Sequence, residues 1–97
     1  MRVISRARLR EFWKKHADAE DSLKAWCAEA ETSHWRKPSD IKAEYPSASF
    51  IAGNRVVYNI QGNRYRLIVA IKYEFEIVYI RFVGTHAEYD KVDATKV

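Results

Sequence analysis

Period-two alternation over residues 55–89 constrains this chain more than any other feature. Three successive runs, RVVYNI, RYRLIVAIK and IVYIRFV, alternate apolar with polar side chains, which is the spacing a half-buried β-strand requires. Gly62-Asn63 between the first two runs is a two-residue hairpin signal that pairs Gln61 with Arg64 and sets Asn59 opposite Arg66. A four-residue connection over Tyr73 to Glu76 pairs Lys72 with Ile77, placing Ala70 opposite Tyr79 and Ile68 opposite Arg81. The expected arrangement is an antiparallel meander. One face collects Val56, Tyr58, Ile60, Tyr65, Leu67, Val69, Ile71, Val78, Ile80 and Phe82, and such a face is stable only when something packs on it. The other carries Arg55, Asn59, Arg64, Arg66, Lys72, Tyr79 and Arg81 around a smaller apolar strip of Val57, Ile68, Ala70 and Val83.

The residues ahead of the meander supply the missing layer. Arg2 to Ile4 is a short apolar run expected to join the sheet as an edge strand, and Ser5 is placed to cap the helix that follows. Leu9, Phe12 and Trp13 recur at helical spacing over Arg6 to His16, with Arg6, Arg8, Arg10, Lys14 and Lys15 pointing elsewhere. Asp18 and Asp21 resemble a capping arrangement for a second helix, in which Leu23, Trp26, Cys27 and Ala30 share a face through about Ser33. So short a connection favours an antiparallel helical hairpin on the core face of the sheet, with Trp26 and Trp35 as packing residues. Pro38 ends the helical pattern, Ser39 is placed to cap a short helical turn over Ile41 to Ala43, Phe50-Ile51 reads as a short strand, and Gly53-Asn54 as a turn. Thr85 is placed to cap a last short helix from His86 to Lys91. The fold class expected is α+β, one domain over residues 1–97.

With 97 residues and 47% hydrophobic content there is material for one modest core. The single cysteine, Cys27, can form no internal disulfide; its helical spacing points to a buried thiol and a reducing, cytoplasmic setting. No apolar run is long enough to span a bilayer and no secretory h-region follows Arg2, so neither a membrane nor export is expected. His16, His34 and His86 are widely separated and no HExxH, CxxC, P-loop or dinucleotide motif occurs, so no metal and no cofactor are expected. Seventeen Lys and Arg against thirteen Asp and Glu give a formal charge of +4, a moderate bias toward polyanionic partners whose meaning depends on where the charges lie.

Around Arg66, Arg81, His86 and Tyr89 the chain has what metal-free cleavage of RNA needs. RNA supplies its own nucleophile, the 2′-hydroxyl, so a site has only to move two protons and stabilise charge on the phosphorane. Guanidinium groups suit the second task, because they stay charged and offer a donor fork to phosphate oxygens. His86 can titrate near neutrality. Arg64, Asn59 and Lys72 share the cationic face and are candidates for RNA contact.

The runs VVYNIQGNRYRLIVAI and VYIRFVGTHAEYDK, with DIKAEYPSA upstream, resemble the HigB-type toxins of the RelE superfamily over almost the whole chain. That resemblance implies a RelE-like domain acting as the toxin of a bacterial type II toxin–antitoxin system. Its expected activity is that of an mRNA endoribonuclease, cutting message in the ribosomal A site and neutralised by a helix-turn-helix antitoxin of the HigA type. The strand arginine of the superfamily's YR motif matches Arg66, the tyrosine before the C-terminus matches Tyr89, and His86 falls where relatives place an Arg or His. Relatives also use upstream lysines, for which Lys37 and Lys42 are the available positions. A second class remains open beside the enzyme: a non-enzymatic basic RNA-binding or adaptor domain on the same fold.

Overall fold

The computed structural model describes all residues, Met1–Val97. Strand β1 (Arg2–Ile4) leads into helices α1 (Ala7–Lys15) and α2 (Glu20–Thr32), joined by a 3₁₀ turn at Ala17–Ala19. After α3 (Pro38–Glu44) come β2 (Ser49–Ile51), β3 (Arg55–Ile60), β4 (Tyr65–Lys72), a 3₁₀ turn at Tyr73–Phe75, β5 (Ile77–Thr85) and α4 (His86–Asp90). The strands form one sheet in the order β1-β5-β4-β3-β2. The meander β3 to β5 is antiparallel as expected; β2 extends it antiparallel beside β3, while β1 joins β5 in parallel and makes the sheet mixed.

Nine of the ten expected core-face residues are buried, and they form one cluster with Leu9, Leu23, Trp26, Ala30, Trp35 and Ile41 from the helical layer. The pairs Asn59 with Arg66, Ala70 with Tyr79 and Lys72 with Ile77 are those the alternation predicts, and Arg64 N donates to Gln61 O across the Gly62 turn.

The tenth residue, Phe82, is a correction. A β-bulge shifts the β4–β5 register between Ile68 and Val69: Val69 pairs with Ile80, but Ile68 pairs with Phe82 rather than Arg81. Arg81 is the extra residue. Because side chains alternate with period two, one inserted residue exchanges the faces beyond it. Phe82 therefore lies with Ile68 and Gly84 on the opposite face, and Val83, expected on that face, packs against the main core. Gly84 lies in close quarters here: a Cβ would stand 2.5 Å from Phe82 Cζ and 3.1 Å from Glu88 Oε1, and those side chains would have to shift to admit it.

The opposite face is also less open than its polar pattern implies. Val57 and Ile68 are buried outside the main cluster. The C-terminal segment returns along this side, where Arg55 Nη2 and Nε donate to the carbonyl of Val97 at 2.7 and 3.2 Å.

Local capping departs from the sequence pattern in three places and follows it in one. Ser5 does not cap α1; it adopts a positive φ of 73° at the end of β1, and Arg6 is the N-cap without a side-chain bond. Asp18 and Asp21 do not cap α2, whose N-cap is Ala19. The Asp18 carboxylate instead takes hydrogen bonds from Tyr65 Oη and Arg64 Nη1, tying the interhelical turn to β4. Pro38 opens α3 rather than ending a helix, with Lys37 and not Ser39 as N-cap, which is where a residue lacking an N–H is tolerated. Thr85 and Glu88 do form a reciprocal capping box on α4. Cys27 is partly buried at the edge of the core, not enclosed in it; burial pushes its thiol up, opposed by Arg6.

Two buried polar atoms, Trp26 Nε1 and Tyr58 Oη, lack a well-aligned hydrogen-bond partner; their rings meet edge to face at 5.4 Å, and the Trp26 N–H gives the Tyr58 hydroxyl only a weak, poorly aligned contact. Burying a hydroxyl without a partner costs stability, so removing it should cost little. Tyr58→Phe should leave the urea midpoint unchanged or raise it. Leu67→Ala, which empties a fully buried site on the central strand, should lower unfolding free energy by about 2–5 kcal/mol. A loss above about 1 kcal/mol for Tyr58→Phe would show that the hydroxyl is satisfied after all.

Candidate active site

Arg66 lies near the start of β4, opposite Asn59 on one side and Gly84 on the other. Its guanidinium is held by three neighbours. Nη1 donates to Asn63 Oδ1 at 2.7 Å, Nη2 meets His86 Nε2 at 2.7 Å, and Cζ sits 5.7 Å from the centroid of the Tyr89 ring. None of these is a carboxylate, and Arg66 takes part in no salt bridge. A partly exposed guanidinium whose charge is oriented but not neutralised is a ready anion site.

A guanidinium only donates, so in this contact His86 Nε2 is the acceptor. Its Nδ1 faces Asp90 Oδ2 at 3.8 Å, one helical turn on. Local structure delivers both groups: Thr85 ends β5 and caps α4, Glu88 N donating to Thr85 Oγ1 and Thr85 N to Glu88 Oε1. His86 is therefore the first helical residue, directly beside the Arg66–Gly84 pair, and Tyr89 stands one turn later. The bond from the Thr85 backbone holds the Glu88 carboxyl below its ordinary value of 4.5, against a smaller opposing effect of burial.

The structure thus gathers Arg66, His86 and Tyr89, with Asn59 on the adjacent strand, and leaves the remaining sequence candidates elsewhere. Arg81 occupies the bulge and lies over Tyr79, its Cζ 5.8 Å from that ring. With Arg55, Lys72 and Tyr79 it lines a separate cleft of about 450 Å³, and no hydrogen bond joins it to the Arg66 group. Arg64 is paired with Asp18 at 2.7 Å. Tyr65 Oη first, then Arg64, holds that carboxyl below 3.8. Lys42 Nζ donates to Ala48 O at 2.9 Å and braces the link from α3 to β2. Lys37 caps α3 by its backbone and is exposed; the Ile41 side of that helix enters the main core. Asn63 and Asp90 complete the cluster and were not singled out in the sequence. Asn63 registers there only as a turn residue, and Asp90 is detectable only as the carboxylate four residues after His86.

The model of the HigB toxin family, RelE-like toxic components of toxin–antitoxin systems, matches residues 19–92. The chain belongs to this family. Among its relatives are the mRNA interferase toxin HigB of Escherichia coli (strain K12) and the mRNA interferase HigB of Escherichia coli O157:H7 and of Shigella flexneri. Each is 29% identical over 92 residues, covering 93% of this chain and 88% of the relative. The HigB family match spans the whole Arg66, His86 and Tyr89 cluster. No helix of this HigB-family toxin is long and apolar enough to cross a membrane.

Because the folded value of Glu88 is depressed, its capping bond stabilises α4 above the ordinary carboxylate range and is lost as pH falls through the folded value. The Cα chemical shift of Ala87 should therefore stay helical at about pH 5 and above and move toward the coil value as pH falls below about 4.5. Glu88→Ala should show the frayed shift at every pH. A wild-type shift that is flat through that acid range would mean the capping box does not hold the helix.

Proposed function

We propose that this HigB-family toxin is an mRNA interferase, a metal-independent and ribosome-dependent endoribonuclease that arrests translation in the bacterial cytoplasm. A helix-turn-helix antitoxin of the HigA type is the proposed neutralising partner. The observation that carries this reading is the Arg66 guanidinium, held by Asn63 without any carboxylate partner beside the His86 imidazole and the Tyr89 ring.

The chemistry follows from those atoms. A phosphate oxygen is a stronger acceptor for a guanidinium than an imidazole nitrogen, so an arriving phosphodiester draws the Arg66 fork away from His86. His86 Nε2 is then free to take the proton of the ribose 2′-hydroxyl as the 2′-oxygen attacks phosphorus. Arg66 stabilises the charge that develops on the non-bridging oxygens. The bond from phosphorus to the 5′-oxygen breaks and the leaving oxygen takes a proton, for which the Tyr89 hydroxyl is the candidate donor. The products are a 2′,3′-cyclic phosphate and a 5′-hydroxyl. Arg81 and Lys72, apart from the cluster, are assigned to phosphates flanking the scissile one, with Asn59 beside Arg66. Arg64, Lys37 and Lys42 are secondary contacts, since Arg64 and Lys42 are engaged within the protein. His86 is exposed and Arg66 and Tyr89 are partly exposed, so the cluster offers little to fix the in-line geometry of attack. A message held in the ribosomal A site supplies that orientation, which supports ribosome dependence.

The test is cleavage of an end-labelled message on programmed ribosomes. Arg66→Ala should lower the cleavage rate by roughly 10² to 10³ with binding largely kept. His86→Gln should lower it by roughly 10² to 10⁴ and remove one limb of the pH profile. Tyr89→Phe separates proton donation, which it abolishes, from stacking, which it spares. Full activity in all three variants would sink the site assignment, and a free 3′-hydroxyl on the product would exclude attack by the 2′-oxygen. RNA binding without cleavage by the folded wild type would move the protein to the adaptor class.

A further inference from the structure

The bulge in β5 is anchored from outside the sheet. Arg81, the inserted residue, has no partner in β4, and its carbonyl accepts a hydrogen bond from Arg8 Nη1 of α1 at 2.6 Å. Arg8 has no carboxylate partner, so its charge is committed to this one carbonyl, and a charge-assisted bond of that kind is among the stronger ones available at a surface.

What the bulge does is visible three residues on, at Gly84. Without the inserted residue, regular pairing would set Arg66 opposite Val83, and Gly84 would face the helical layer. With it, Gly84 stands opposite Arg66, and α4 starts on the Arg66 side of the sheet. The ring of Phe82 and the carboxylate of Glu88 both close on Gly84, and a Cβ there would displace them. Bulge, glycine and capping box are thus successive parts of one device, and Arg8 holds its first member.

We propose that Arg8 is a positioning residue for the cleavage reaction: by holding the Arg81 carbonyl it maintains the β5 register that brings His86 and Tyr89 onto Arg66. This rests on the endoribonuclease reading above, but its structural half can be measured without any RNA. A shift of the order of 1 Å in a reacting group can cost a hundredfold in rate. Arg8→Met should therefore reduce kcat on programmed ribosomes by between about tenfold and a hundredfold, with KM unchanged. In the free protein the same variant should weaken or lose the cross-strand NOEs between Arg66 and Gly84. Arg8→Lys keeps a cationic donor with a different reach and should recover a large part of both. Arg10→Met, on the same helix but with no side-chain bond to the sheet, should match the wild type. The proposal is overturned if Arg8→Met keeps wild-type kcat, if it raises KM alone as a lost RNA contact would, or if kcat falls while the Arg66–Gly84 NOEs stay intact. Should Arg8→Met not fold, Arg8→Gln, too short to reach the Arg81 carbonyl, decides: a reduced kcat with weakened NOEs supports the role, and wild-type values for both overturn it. An inactive wild type would end the endoribonuclease reading, while the NOE comparison would still report on the pin.

Discussion

Burial of the central strand on both faces is the constraint from which the rest of the molecule follows. Leu67, Ile68 and Val69 are each fully excluded from solvent. Leu67 and Val69 are covered by the helical layer, and Ile68 lies on the side to which the C-terminal segment returns. A strand enclosed this way can present functional groups only toward its ends. Arg66 stands at one end and Lys72 at the other, and the two cationic regions of the sheet face, one around His86 and one around Arg81, are correspondingly separate. The site is thus a property of where the covering stops.

Pairing of charges sorts the cations more sharply than their number. A net charge of +4 spreads over seventeen basic residues, many already engaged. Arg6 meets Glu31, Lys24 meets Glu20, Arg64 meets Asp18, and Lys42 is turned to a carbonyl. Exposed pairs of this kind contribute little to stability, yet each removes a cation from those available to a polyanion. Arg66 differs because its partners are an amide oxygen, an imidazole and a ring face, which orient it without cancelling its charge. The fold alone carries no activity; the chemical step proposed for this member of a toxin family rests on this local arrangement.

The three meander strands, the core face and the helical layer were legible in the sequence because each is encoded by a period, two for strands and 3.6 for helices, repeated over enough residues to outweigh single exceptions; the parallel place of β1 beside β5 was not. The caps were legible only where side chain and backbone compete locally, as at Thr85 and Glu88. Asp18 shows the limit: a tertiary partner, Tyr65, lies forty-seven residues away and takes the carboxylate that a helix N-terminus would otherwise claim.

Arg66, His86 and Tyr89 could be named, and expected together at the sheet end, from the residues and the family resemblance, but not the departure of Arg81 from them, since that depends on one inserted residue in β5. Nothing in the run IVYIRFVGT distinguishes a bulge from unbroken alternation, for Arg81 is polar at a position where a regular strand also expects a polar side chain. The sequence by itself determined two faces, one apolar and one cationic, because period-two alternation acts between neighbours along the chain. Which residues of the cationic face meet was decided only in the tertiary structure. There the Arg8 bond to the bulge carbonyl, the close approach of Phe82 to Gly84 and the cap on α4 act together across distant segments.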